Sequence, residues 1–152
     1  GERARPVQPV RRRWRGRCKQ RRAAAHDLPD GRSASVQRAR AVDERDGISE
    51  LHFGAGVLYV SGRLRIGERR RIEILARDIS LSLEAPQRTS ILNVLPARVE
   101  AVYDAESAQP VVKVDVGGTE LLARVSRRSL RVLELREGVR VFVQVKAVAV
   151  IP

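Results

Sequence analysis

The sequence predicts an all-β fold with one short helix. Three observations carry this expectation. Apolar residues recur at every second position in run after run beyond residue 41, glycines separate several of those runs, and one segment has a capped helical pattern. Alternation of this kind gives each strand one dry face and one wet face, as in an antiparallel sheet packed on a single core.

Leu51, Phe53, Val57, Tyr59 and Val60 flank Gly54-Ala55-Gly56, which reads as a hairpin with a three-residue glycine turn. Arg71-Ile72-Glu73-Ile74-Leu75-Ala76 alternates as a strand, and Ile79, Leu81 and Leu83 continue its period until Pro86. Ala97, Val99, Ala101 and Tyr103 share a face opposite Arg98, Glu100 and Asp104. Val112, Val114 and Val116 alternate with Lys113 and Asp115 as far as Gly117-Gly118, a two-residue hairpin loop where φ > 0 carries no Cβ strain. Leu121, Ala123 and Val125 face inward on the return strand. Ser126 caps a helix from Arg127 to about Leu135, with Gly138 just past its end. Val139, Val141, Val143, Val145, Ala147 and Ala149 form the longest alternating run. Three strands, a short helix and a final strand are the order of a small Greek-key barrel of OB type, closed so that no long edge is left bare. Residues 87–152 are near the size at which a single core is marginal. Residues 41–86, or a second copy of the chain, are therefore expected to complete it.

Charge divides the chain differently. Residues 1–40 hold 13 Lys/Arg against 3 Asp/Glu, whereas residues 41–152 hold 17 against 15, so the formal net charge of +12 belongs mostly to the first part. There Val7, Val10, Trp14, Leu28 and Val36 follow no period. Such a segment buries too little apolar surface to offset its ordering entropy, so residues 1–40 are expected to be a disordered basic tail, a remnant or an out-of-frame reading of a GC-rich gene. The alternative is a localisation or RNA-binding arm. A lone Cys18 excludes an internal disulfide and a multi-cysteine zinc site. No apolar run approaches the roughly 18 residues of a membrane span, and the N-terminus has no apolar core of a signal peptide. A soluble, cytoplasmic protein is expected.

The residue inventory does not support catalysis. His26 and His52 lie in different segments, neither beside a Cys or an acidic cluster at metal-ligand spacing, and both read as solvated residues. The chain has no phosphate-binding G-x-x-x-x-G-K-[ST] motif, Gly54-x-Gly56 lacks a third glycine and a following helix, and no serine has a His/Asp partner set. Neither an enzymatic activity nor a bound cofactor or metal is expected.

Four blocks then carry a family likeness: Ala76-Arg77-Asp78-Ile79-Ser80-Leu81; Thr89-Ser90-Ile91-Leu92-Asn93-Val94-Leu95-Pro96-Ala97; Leu122-Ala123-Arg124-Val125-Ser126-Arg127-Arg128-Ser129-Leu130; and Val143-Gln144-Val145-Lys146-Ala147-Val148. In this order and spacing they resemble the C-terminal regulatory region of the ATP-binding subunit of molybdate ABC transporters, a TOBE domain containing a Mop-like unit. The resemblance covers about residues 41–152, without the nucleotide-binding cassette. It divides them into N-terminal strands over 41–86 and a Mop-like OB barrel over 87–152. It implies molybdate or tungstate as ligand, with Ser90 and Asn93 in the Ser-x-x-Asn turn, Ser126 as a further hydroxyl and Lys146 as the cation. It also implies a homodimer, and association with an inner-membrane permease through a full-length ATPase subunit. Leu92 stands where the family often has an arginine, which removes a charge-assisted contact of about 1.5–3 kcal/mol.

Each of these residues also has a plain structural reading: Ser90 and Asn93 as turn formers, Ser126 as a helix cap, Lys146 as one solvated charge on a polar strand face with Arg140 and Gln144. Two other functions remain open, a nucleic-acid-binding OB module that uses the basic tail and a purely structural dimerisation unit. For the first, the body offers only Phe53, Tyr59, Tyr103 and Phe142 as stacking platforms, with Tyr103 expected in the core.

Overall fold

The computed structural model describes residues 25–27, 33–54 and 56–152. They form eleven strands and one short helix: β1 (Ala25–Asp27), β2 (Ser33–Arg45), β3 (Ile48–Phe53), β4 (Gly56–Ser61), β5 (Arg69–Leu75), β6 (Ile79–Ser82), β7 (Asn93–Tyr103), β8 (Val111–Val116), β9 (Thr119–Arg124), α1 (Arg127–Val132), β10 (Arg140–Val145) and β11 (Ala149–Ile151). A single 3-10 turn, Ala76–Asp78, joins β5 to β6. The expected all-β class with one helix is what the described residues adopt.

The strands make two antiparallel sheets. One runs β11-β5-β2-β3-β4 with β1 added to β2, and the other β6-β10-β7-β8-β9. In the second sheet β6 also meets β9, which curls it toward a closed barrel. One apolar cluster serves both sheets, with Leu51, Leu58 and Ile72 from the first and Val99, Val114 and Val143 from the second.

The two sheets are versions of one motif. In each, a long strand is bulged near its middle, between Ala41 and Asp43 in β2 and between Val99 and Ala101 in β7. The bulge is tied down in the same way both times. The Ala41 N–H donates to Glu68 O (2.9 Å) and its carbonyl accepts from Gly67 (2.7 Å); Val99 donates to Val139 O and accepts from Gly138, both at 2.8 Å. Gly67 and Gly138 both have φ near +90° (87° and 91°), a turn that any Cβ would strain. A hairpin follows each long strand, then a strand returns on its other side. The outermost strand is exchanged: β6 of the first half pairs with β10, and β11 of the second half pairs with β5.

Each half also covers the other's bare edge. β4 and β9 are edge strands whose outward N–H and C=O groups need partners. Asn93, buried at the start of β7, accepts the Tyr59 N–H (2.6 Å) and donates to the Tyr59 carbonyl (2.9 Å) on β4. Ser35, buried at the equivalent place in β2, accepts the Leu122 N–H (3.2 Å) on β9, and Gln37 donates to the Glu120 carbonyl (3.4 Å) beside it.

Several expectations are corrected. Residues 33–40, assigned to the tail on charge, lie in β2 at the centre of the first sheet, and residues 25–27 pair with its start. Their arginines fall on the wet face of an alternating strand, so charge density masked the period. Residues 1–24 and 28–32 of that tail lie outside the described residues. β6 and β11 cross between the segments 41–86 and 87–152, so each sheet takes a strand from the other segment. Phe53 pairs with Gly56, so the first hairpin loop has two residues rather than three. Tyr103 is 47% exposed, because the bulge in β7 reverses which side chains face inward. α1 stops at Val132, short of Leu135, and the run through Ala149 breaks after Val145.

Replacing Asn93 by Ala would orphan two backbone groups of Tyr59, and Ser35→Ala one of Leu122. We expect losses of about 2–3 and 1–2 kcal/mol, read as lower urea midpoints with unchanged m values. The two sites share no partner, so the double variant should be additive within about 0.5 kcal/mol.

Candidate functional site

Of the four residues singled out in the sequence, Asn93 and Lys146 lie at one end of β7, with Ser90 in the turn just before it. The segment before β7 turns sharply: Arg88 has φ of 51°, and the Thr89 hydroxyl accepts the Ile91 N–H at 3.1 Å. This turn presents Ser90 and Leu92 to solvent, Leu92 at 59% exposure. Asn93 opens β7 and pairs across the ladder with Val145, the last residue of β10. Lys146 follows directly, and its N–H donates to Asp78 O at 2.9 Å, which pins the crossover to the 3-10 turn. Lys146 therefore lies past the strand end, exposed beside the Asn93 corner, rather than on the polar face of β10 as expected.

Two of the four side chains already have structural work. Both polar ends of Asn93 are engaged by Tyr59. Ser126 caps α1, accepting the Ser129 N–H at 3.0 Å and donating to the Ser129 hydroxyl at 2.8 Å. Among the described residues, the Ser90 hydroxyl and the Lys146 ammonium have no side-chain partner.

Ser126 does not join them. It follows β9, whose Arg124 pairs with Val111, which in turn pairs with Tyr103 at the far end of β7. Asn93 and Tyr103 are the two ends of that strand, about 30 Å of extended chain apart. One copy of the chain thus offers a cationic, hydroxyl-bearing corner at one end of β7 and a second hydroxyl at the other.

The same sheet carries a charge cluster that sequence reading passed over. Lys113 on β8 lies between Glu100 on β7 (3.5 Å) and Glu120 on β9 (3.4 Å). Burial and the neighbouring Glu120 push the Glu100 carboxyl above its ordinary value. Burial alone would lower the Lys113 ammonium, but Glu120 above all, with Tyr103 and Glu100, outweighs it and holds it above its ordinary value. The alternation places these residues on strands, but only the pairing register shows that they meet. Among the described residues, no group of three or more His, Cys, Asp or Glu could hold a metal ion, and no helix is long and apolar enough to cross a membrane.

The exchanged strands, the curled five-stranded sheet and the capped helix make an OB-like β module, and residues 89–152 match the TOBE domain family. The chain's relatives include the molybdenum import ATP-binding protein ModC of Aromatoleum aromaticum, 42% identical over 115 residues, covering 75% of this chain and 30% of that protein. The ModC of Rhodopseudomonas palustris strain HaA2 is 43% identical over 119 residues (75% and 32%), and that of Thiobacillus denitrificans 46% over 104 (67% and 29%). The chain spans about 30% of the length of these relatives. Among solved structures, the cytoplasmic molybdate-binding protein ModG with molybdate bound superposes with a TM-score of 0.67, over 78% of this chain and 96% of that one. At 20% identity this likeness establishes the fold.

Because the folded-state pKa of Glu100 is raised, its contribution to stability is complete below its ordinary value of 4.5 and is lost as pH rises through the folded value. Glu100→Gln should therefore melt higher than wild type at pH 7, with the difference vanishing below about pH 4 in paired melting curves.

Proposed function

We propose that this chain is the molybdate- or tungstate-binding regulatory region of a molybdate importer's ATP-binding subunit. The observation that carries the reading is the exposed corner at the start of β7. There the Lys146 ammonium and the Ser90 hydroxyl have no side-chain partner among the described residues, and a turn able to direct N–H groups outward precedes β7. A tetrahedral dianion requires that set: hydroxyls, main-chain N–H donors and a cation in a sheltered place. The similarity to ModC proteins and the ModG-like fold support the same ligand.

Ser126 enters the proposal through a second copy of the chain. Within one copy it lies at the far end of β7 from Lys146, so a site using all four residues spans a homodimer, with Ser126 supplied by the partner. Asn93 serves that site by holding the turn against β4 through Tyr59. In a full-length cytoplasmic ATPase docked on an inner-membrane permease, anion bound here would couple ligand level to transport.

In thermal melts of the whole chain, molybdate is expected to raise the midpoint while sulfate at equal concentration does not. Lys146→Gln should abolish the shift, and Leu92→Arg should tighten binding about tenfold or more by restoring a guanidinium contact. Sedimentation should show the dimer fraction rising with molybdate. Absence of any shift at millimolar molybdate would refute the reading.

A further inference from the structure

The wet face of the first sheet carries a cluster of basic residues away from the β7 corner. Arg38 and Arg40 on β2 lie directly opposite Arg71 and Arg69 on β5, and His52 on β3 lies opposite Arg40. All five are exposed, and with Ile151 on β11 and the terminal Pro152, which makes no ion pair with these arginines, they line a cleft of about 450 Å³. Among the described residues none of the four arginines has an ion-pair partner. The carboxylates nearby are otherwise placed. Glu50 bonds His52 at 2.9 Å, Glu68 pairs with Arg70 at the rim, and Glu73 lies one step further along β5 without reaching Arg71.

Like charges directly opposite across a ladder destabilise a sheet. The fold does not require them, and the second half of the molecule is the internal control. There the places of Arg38 and Arg71 are held by Pro96 and Phe142, which also pair with each other. Arg98 and Arg140 repeat the other pair, but Asp115 stands opposite Arg98 where the first half has His52. The same scaffold thus compensates its charge in one copy and concentrates it in the other.

We propose that this cleft binds a small anion bearing two or more phosphoryl groups, such as a pyrophosphate or the phosphate tail of a nucleotide. Guanidinium forks match phosphate oxygens bidentately. Pairs separated by about 5 Å across the ladder and about 7 Å along the strand suit successive phosphoryl groups better than one tetrahedral ion. The cleft volume falls in the range of small-ligand pockets.

The test is tripolyphosphate titration of the full chain by calorimetry. Arg38→Gln/Arg71→Gln is expected to weaken binding at least about tenfold, while Arg98→Gln/Arg140→Gln changes it by less than about twofold. The basic N-terminal residues contribute equally to both variants, so the contrast isolates the cleft. Without ligand, the first double variant should melt about 1–3 °C higher than wild type, because repulsion is relieved. Pyrophosphate and ATP separate an inorganic from a nucleotide source. Equal losses in the two variants, a lower melting point for Arg38→Gln/Arg71→Gln, or tighter binding of single-stranded DNA or poly-glutamate than of tripolyphosphate would overturn the proposal. Molybdate melts of the same variants keep the two sites distinct, since Lys146 lies outside the cleft.

Discussion

Two buried side chains, Ser35 and Asn93, hold the halves of this molecule together by satisfying each other's edge strands. An antiparallel sheet of five strands ends in a row of unpaired main-chain groups, and burying that row without partners would cost about 1–3 kcal/mol for each group. The chain removes the problem reciprocally: β2 reaches β9 and β7 reaches β4. The exchange of β6 and β11 covers the opposite edges in the same reciprocal fashion. Neither half can then keep its edges covered alone, and the single apolar cluster shared by both sheets is the consequence.

That constraint also shapes the corner at the start of β7. Asn93 must face β4, so its amide is unavailable, and the turn before it is forced outward with Ser90 and Leu92 on its surface. Lys146 is positioned by the other half of the exchange, because the chain has to leave β10 and cross to β5 immediately after Val145. A structural necessity therefore leaves a hydroxyl and an ammonium exposed together. The cleft on the first sheet has a different origin. It follows from charge added to a wet face that the duplicated half leaves nearly neutral.

Much of this was legible in the residues. Alternation located β5, β8, β9 and β10, Gly117-Gly118 marked a hairpin, and Ser126 capped a helix as expected. The boundary at residue 40 misled because arginines at alternate positions of β2 look like tail composition when counted rather than read for period. Tyr103 and Ala101 were misassigned because a bulge shifts the side-chain period and leaves no mark in an otherwise regular run. For the candidate site, the strand register places Asn93 and Lys146 at one end of β7, just after Ser90, and Ser126 at the other, and Tyr59 as the partner of Asn93 has no local signal.

The sequence by itself determined the all-β class, most of the strand faces and the helix cap, because these follow from periods and turns spanning a few residues. Only the tertiary structure decided which strands are exchanged, that the two halves repeat one motif, which polar groups are consumed in covering edges, and which arginines lie opposite one another across the ladder. Those outcomes rest on pairings between residues far apart in the chain, where burial and register, rather than local propensity, set the free energy.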